Sequence, residues 1–181
     1  TNNADKTGYS LPIGAGGGAS TFSFRVGYGG SDSSVDANDN VVAGDLYHVV
    51  GVLRSGVMYI YINGDVQSAT SSVAGITANS NNLIVGAYYS SPSYHFPGII
   101  DEVAIWDTGL TATEITELYN IGINGSVLTH SNQTNLVSYW KNEGITVALW
   151  EDKKGSNDAT AVSGGFLISS NNGTPSGSPE S

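Results

Sequence analysis

The chain has 181 residues, 24 of them glycine, and carries 16 acidic against six basic side chains for a formal charge of −10. That balance leaves no clustered basic surface for neutralising phosphates, which excludes nucleic-acid binding. Zero cysteines remove disulfides, thiolate metal sites and cysteine nucleophiles together. No apolar run approaches the ~20 residues that a membrane-spanning helix needs, so membrane insertion is not expected. The polar opening Thr1-Asn-Asn-Ala-Asp-Lys6 has no signal-peptide core behind it, and the abrupt start is that of a fragment or a processed product. The length suits one sizeable domain. Low charge with abundant Gly, Ser, Thr and Asn predicts short strands joined by polar turns.

Residues 1–19 are Gly-rich, and Ile13-Gly-Ala-Gly-Gly-Gly-Ala19 reads as a flexible loop. No Lys-Ser/Thr and no helix follow it, so it is no phosphate cradle. The first strand is Thr21 to Val26, with Phe22, Phe24 and Val26 on one face. Ser31 to Asn40 reads as a polar acidic loop. Two strands follow, Tyr47 to Leu53 and Val57 to Ile62, joined at Arg54-Ser-Gly56. Asn63-Gly64 is the strongest two-residue turn signal in the chain and leads into Asp65 to Ala69. Leu83 to Tyr88 and Gly98 to Trp106 give two more strands, and the spacing is that of a sandwich. One helix is marked by the capping box Thr111-Ala-Thr-Glu114, an apolar stripe of Ile115, Leu118 and Tyr119, and a stop at Gly122.

These segments, in this order, resemble a family. Leu46-Tyr-His-Val-Val-Gly-Val52 with Met58-Tyr-Ile-Tyr-Ile-Asn-Gly64 is similar to the hairpin of laminin-G-like domains. Phe96-Pro-Gly-Ile-Ile-Asp-Glu-Val-Ala-Ile-Trp106 and Leu110-Thr-Ala-Thr-Glu-Ile-Thr-Glu-Leu-Tyr119 resemble the family's later strand and exit helix. Tyr47 departs from the family's preferred Trp. The resemblance covers residues 45–122 and implies an all-β, concanavalin A-like jelly-roll β-sandwich with one short helix. Asn135 to Lys141, through Asp152-Lys-Lys-Gly-Ser-Asn-Asp-Ala-Thr160, looks like the family's opening strand and loop, here placed last. The expectation is a permuted single sandwich over 1–170, with 135–160 as its closing strand and 171–181 as a flexible tail, and the alternative is a second domain that starts here and is cut off. The arrangement looks like that of marine bacterial and phage proteins.

For catalysis, the carboxylate spacing of sandwich glycosidases, Glu-x-Asp-x-x-Glu, is absent. Asp101 and Glu102, as neighbours on a strand, would point to opposite faces. Glu114 and Glu117 belong to the helix, and His48, His95 and His130 are scattered singly. No enzyme is expected. The resemblance implies a structural Ca²⁺ held by Asp101, with Asp152 and Asp158 as further oxygen ligands. The alternative is that Asp101 binds backbone N–H groups of a neighbouring loop and the loop acids are solvated. Tyr88-Tyr-Ser-Ser-Pro-Ser-Tyr-His-Phe96 gathers aromatics between two strands, which suits sugar rings or a protein partner. Tyr89, Tyr94 and His95 are the candidate ligand-binding residues. Trp106 and Trp140 are assigned to the core. The functional expectation is a non-catalytic module binding carbohydrate or a partner surface, within a larger extracellular or virion-associated protein. A self-assembling decoration or fibre module is the alternative, and a polysaccharide-acting enzyme a third.

Overall fold

The computed structural model describes residues 6–14, 20–70, 73–87, 95–142, 149–162 and 165–168. The chain divides into two compact units. The first holds residues up to 79 together with 108–125 and 130–132, and the second holds the remainder.

In the first unit, β1 (Gly8–Ser10), β2 (Ser23–Tyr28) and β3 (Ser31–Asp36) form an antiparallel sheet in that order. Two expectations are corrected here. Residues 1–19 contain a strand, and Ser31 to Asn40 begins with one instead of being a loop. The reason is the Gly29-Gly30 pair, whose φ values of 53° and 82° close a two-residue hairpin from Tyr28 to Ser31. β3 buries only Val35, so its sequence carries no apolar alternation. β4 (Val49–Arg54), β5 (Val57–Ile62) and β6 (Asp65–Thr70) form a second antiparallel sheet. Both of its turns match the sequence: Ser55-Gly56 has φ 51° and 74°, and Asn63-Gly64 has φ 53° and 87°. Phe24, Val26 and Val35 from one sheet and Met58 and Ile60 from the other bury together as a single cluster. Two strand layers sharing one apolar core is the packing of a sandwich. A Cβ on Gly51 would sit 2.4 Å from Cδ2 of Phe24, so the aromatic ring rests directly on β4's backbone.

Helix α1 (Ala112–Ile121) has the complete capping box of Thr111 and Glu114. Ile115 and Leu118 are buried, but Tyr119 is 46% exposed and does not complete the expected stripe. His130 fixes the helix to the following turn. Its Nδ1 accepts the Asn132 N–H at 3.1 Å, so Nε2 carries the proton and donates to the Glu114 carbonyl at 2.9 Å. Glu117 accepts the Ser131 N–H at 2.7 Å.

In the second unit, β7 (Leu83–Val85) pairs with β12 (Gly165–Ile168), which pairs with β11 (Ala159–Val162) and then β10 (Leu149–Trp150). β8 (Val103–Trp106) pairs antiparallel with β9 (Leu136–Trp140). The returning segment therefore lies beside the Asp-Glu-Val strand. That strand is shorter than expected, because Glu102 has φ 55° and breaks the extended run before Val103. Trp140, Trp150 and Ala159 form the buried cluster of this unit, with Leu83, Val85, Ile100, Val103 and Ile105 packed against it.

Candidate functional site

Three of the sequence-nominated acids lie around β9, and each has a defined task. Asp152 is 5% exposed. Its Oδ1 accepts the backbone N–H groups of Tyr139 at 2.9 Å, Lys154 at 3.0 Å and Gly155 at 3.0 Å. Its Oδ2 accepts the Asn157 N–H at 3.1 Å. Burial pushes this carboxyl upward, but the Gly155, Tyr139 and Lys154 N–H groups outweigh it, and the group titrates below its ordinary range. Only glycine fits at 155, where a Cβ would fall 2.7 Å from Asp152 Oδ2 and 2.8 Å from the Val137 carbonyl oxygen. Asp158 Oδ1 in turn accepts the Asp152 N–H at 2.9 Å. The alternative reading of Asp152 as a solvated loop acid does not hold. Its chain neighbours wrap a buried carboxylate.

Asp101 Oδ1 accepts the N–H groups of Glu102 and Asn142, both at 2.7 Å, which is the backbone-binding alternative named for it. The two adjacent acids do not alternate on a strand, because Glu102 adopts the left-handed conformation. Glu102 Oε2 accepts the Tyr139 hydroxyl, and Lys141 Nζ lies 3.8 Å from Oε1. Burial, followed by the Glu102 hydrogen bond and its charge, drives the Tyr139 phenol well above its ordinary range. Neither the left-handed backbone nor the Tyr139 contact had any signal in the sequence.

For a calcium ion the donor set fits poorly. Six backbone N–H groups point at the described oxygens of Asp101 and Asp152, and each presents its positive end where a cation would sit. Among the described residues no three of His, Asp and Glu gather into a metal-binding group.

Tyr89 and Tyr94 lie outside the described residues. Their flanks are defined. Ala87 and His95 form an antiparallel bridge, and the Phe96 N–H donates to the Gly86 carbonyl at 2.9 Å. The two ends of the aromatic segment therefore leave the fold side by side. His95 is exposed, Phe96 is 38% exposed and Ile99 is 85% exposed. Trp140 is core, as expected, and Trp106 is half-buried. A shallow depression of about 520 Å³ runs along α1 past Ala112, Thr113, Thr116, Glu117 and Asn120.

His48 directly precedes β4, where its N–H donates to Asn63 Oδ1 at 2.9 Å and its carbonyl accepts the Asn63 N–H at 2.8 Å. Burial pushes its imidazole below the ordinary value. Its ring lies 5.8 Å from that of Tyr119. This aromatic pair was missed from the sequence because the helix stripe placed Tyr119 in the core.

A crystal structure of a Bacteroides ovatus protein, provisionally described as a carbohydrate binding protein, is similar at a TM-score of 0.60 and 16% identity. The similarity covers 91% of this chain and 45% of that one. An S-layer domain-containing protein from Clostridium thermocellum is similar over 55% of this chain and 52% of its own, at a TM-score of 0.33 and 20% identity. The chain thus spans about half the length of the solved structures it matches. No curated protein sequence matches it. Residues 1–116, well over half of the chain, match the laminin G family model described as the concanavalin A-like lectin/glucanases superfamily, and the protein belongs to that family.

Proposed function

We propose that this chain is a non-catalytic binding module that holds carbohydrate or a partner surface through its aromatic segment, with Tyr89, Tyr94 and His95 as contact residues. The carrying observation is the closure of that segment at its base. The Ala87–His95 bridge and the Phe96–Gly86 hydrogen bond fix both ends, while His95, Phe96 and Ile99 are left facing water. Exposed positions beside a fixed base are where binding residues commonly sit, and aromatic side chains supply flat apolar contact area. Membership of a family of lectins and glucanases supports a sugar as ligand. The non-catalytic reading is supported by the tasks of the buried and helix carboxylates. Asp152 organises its loop, Glu102 holds Tyr139, Glu114 caps α1 and Glu117 holds Ser131. A module of this kind would work within a larger extracellular or virion-associated protein.

A glycan array tests the reading. The expected result is a defined set of bound glycans, with signal lost in Tyr89→Ala or Tyr94→Ala while the fold is retained. Absence of glycan binding together with ordered self-assembly would replace it with an architectural role. Turnover of a polysaccharide by the purified chain would overturn its non-catalytic part.

A further inference from the structure

We infer that Tyr119, His48 and the Asn63-Gly64 turn form a second saccharide-contact platform, on the first unit and separate from the aromatic segment of the second. The inference rests on the binding-module reading above and adds a site to it.

The platform is built by three elements. Tyr119 projects from the last turn of α1 and is 46% exposed, although it follows directly on the buried Leu118. One part of the side chain lies on bare backbone. A Cβ on Gly64 would be 3.1 Å from Tyr119 Cδ1 and 3.2 Å from Cβ and Cγ. The φ of 87° calls for glycine there, and a Cβ would press on the tyrosine. The His48 ring stands beside Tyr119 at 5.8 Å, tilted by 39°. The tyrosine is thus held by glycine and imidazole, and its remaining surface is open to water.

Polar groups flank the ring. Asn63 Oδ1 is occupied by the His48 N–H, and its amide NH₂ has no protein partner among the described residues. His48 Nδ1 is sealed from water without a hydrogen bond. A buried N–H without an acceptor is the rarer and costlier arrangement, so the ring proton belongs on Nε2, which becomes a donor. The group therefore offers one aromatic ring, amide and imidazole donors, and the tyrosine hydroxyl.

That chemistry selects the ligand class. No lysine or arginine belongs to the platform, and the chain carries a charge of −10, so uronic or sulfated sugars would be repelled. A neutral β-linked gluco-oligosaccharide fits instead. Its equatorial hydroxyls meet donors at the rim, and its axial C–H face is flat and apolar enough to cover a tyrosine.

The test is an amide-resolved NMR titration of the intact chain with cellohexaose and, separately, laminarihexaose, to millimolar concentration. The expected result is fast-exchange shifts at His48, Asn63, Gly64 and Tyr119 with at least one of the two sugars. Tyr119→Ala weakens that interaction about tenfold. Tyr119→Leu, which keeps apolar cover over Gly64, guards against a folding artefact and must weaken it as well. Shifts confined to residues 88–96 would overturn this inference and leave the binding-module reading standing. No shift anywhere with either sugar would overturn this inference and count against a neutral glucan ligand at both sites. Unchanged affinity in a folded Tyr119→Leu would also overturn it.

Discussion

Replacing Asp152 by Asn removes one charge and turns one acceptor oxygen into a donor, with little change in volume. In the better orientation the amide oxygen keeps the Oδ1 position and still accepts from Tyr139, Lys154 and Gly155. Those three bonds fall from charge-assisted to neutral strength, a loss of about 1 kcal/mol each. The new NH₂ then faces the Asn157 N–H, a buried donor against a donor, at a further cost of about 1–3 kcal/mol. Relief of the buried charge returns part of this, so the net destabilisation is about 3 kcal/mol. For a chain of this size that lowers Tm by about 6–12 °C. All three tryptophans, Trp106, Trp140 and Trp150, lie in the same unit as Asp152, so their fluorescence during urea unfolding reads the relevant transition.

The same carboxylate sets an acid limit. Its folded-state pKa lies below the unfolded value, so its stabilisation is complete above an unfolded pKa of about 3.9 and is lost as pH falls through the folded value. The wild type therefore loses stability below about pH 4 more steeply than Asp152→Asn, which lacks the titrating group. A variant that unfolds within about 0.5 kcal/mol of wild type, with an unchanged acid limb, would refute the argument that backbone N–H groups on Asp152 organise this unit.

Gly51→Ala drives a methyl group into the Phe24 ring and should cost about 1–3 kcal/mol in urea unfolding, with a smaller cost in a Phe24→Leu background. Thr111→Ala removes the oxygen that accepts the Glu114 N–H and should cost about 1 kcal/mol, read as an earlier loss of helical signal on heating. Tyr139→Phe leaves Glu102 without its hydroxyl donor at a half-buried site, and a loss of about 1–3 kcal/mol by chemical denaturation is expected. Treatment with EDTA should leave Tm within about 1 °C of the untreated chain, since a bound ion would add stability that chelation removes. A larger fall would place calcium on these carboxylates after all.

How much of this was legible depends on where each element's determinants lie. The β4–β5–β6 meander could be read directly, because strand alternation and the Asn63-Gly64 turn are local signals that agree with one another. The helix was equally plain from Thr111 and Glu114, whose reciprocal bonds lie within four residues. β3 was missed because an edge strand of Ser and Asp that buries only Val35 has no apolar period, and its sole cue was the Gly29-Gly30 pair. Tyr119 was misplaced because helical periodicity says which face it occupies but not how far the neighbouring layer extends beneath it. Asp101 and Asp152 were named from the sequence as oxygen ligands, and the partners they take here are main-chain N–H groups. No side-chain pattern records such partners. The left-handed Glu102 was invisible for the same reason.

The use of main-chain donors follows from the charge balance. With 16 acids and six bases, most carboxylates lack a basic partner, and the buried Asp152 is satisfied by main-chain N–H groups instead. Of its cations, Lys6 and Lys153 pair with Asp32 and Glu151 at partly exposed positions, where an ion pair contributes little. Arg54 donates to the Leu110 carbonyl and lies 4.8 Å over the Tyr59 ring, so its charge is engaged without an acid. Lys141 approaches a partly buried carboxylate, that of Glu102, at 3.8 Å. Asp152 is therefore stabilised by peptide dipoles, which salt screens far less than it screens surface pairs. Tyr139 shows the result most directly. Its N–H goes to Asp152, its carbonyl accepts from Lys153 at 2.7 Å, and its hydroxyl goes to Glu102. One residue on β9 is thereby held by two main-chain bonds and one side-chain bond, and the returning segment gains a fixed register without a basic residue opposite its buried aspartate.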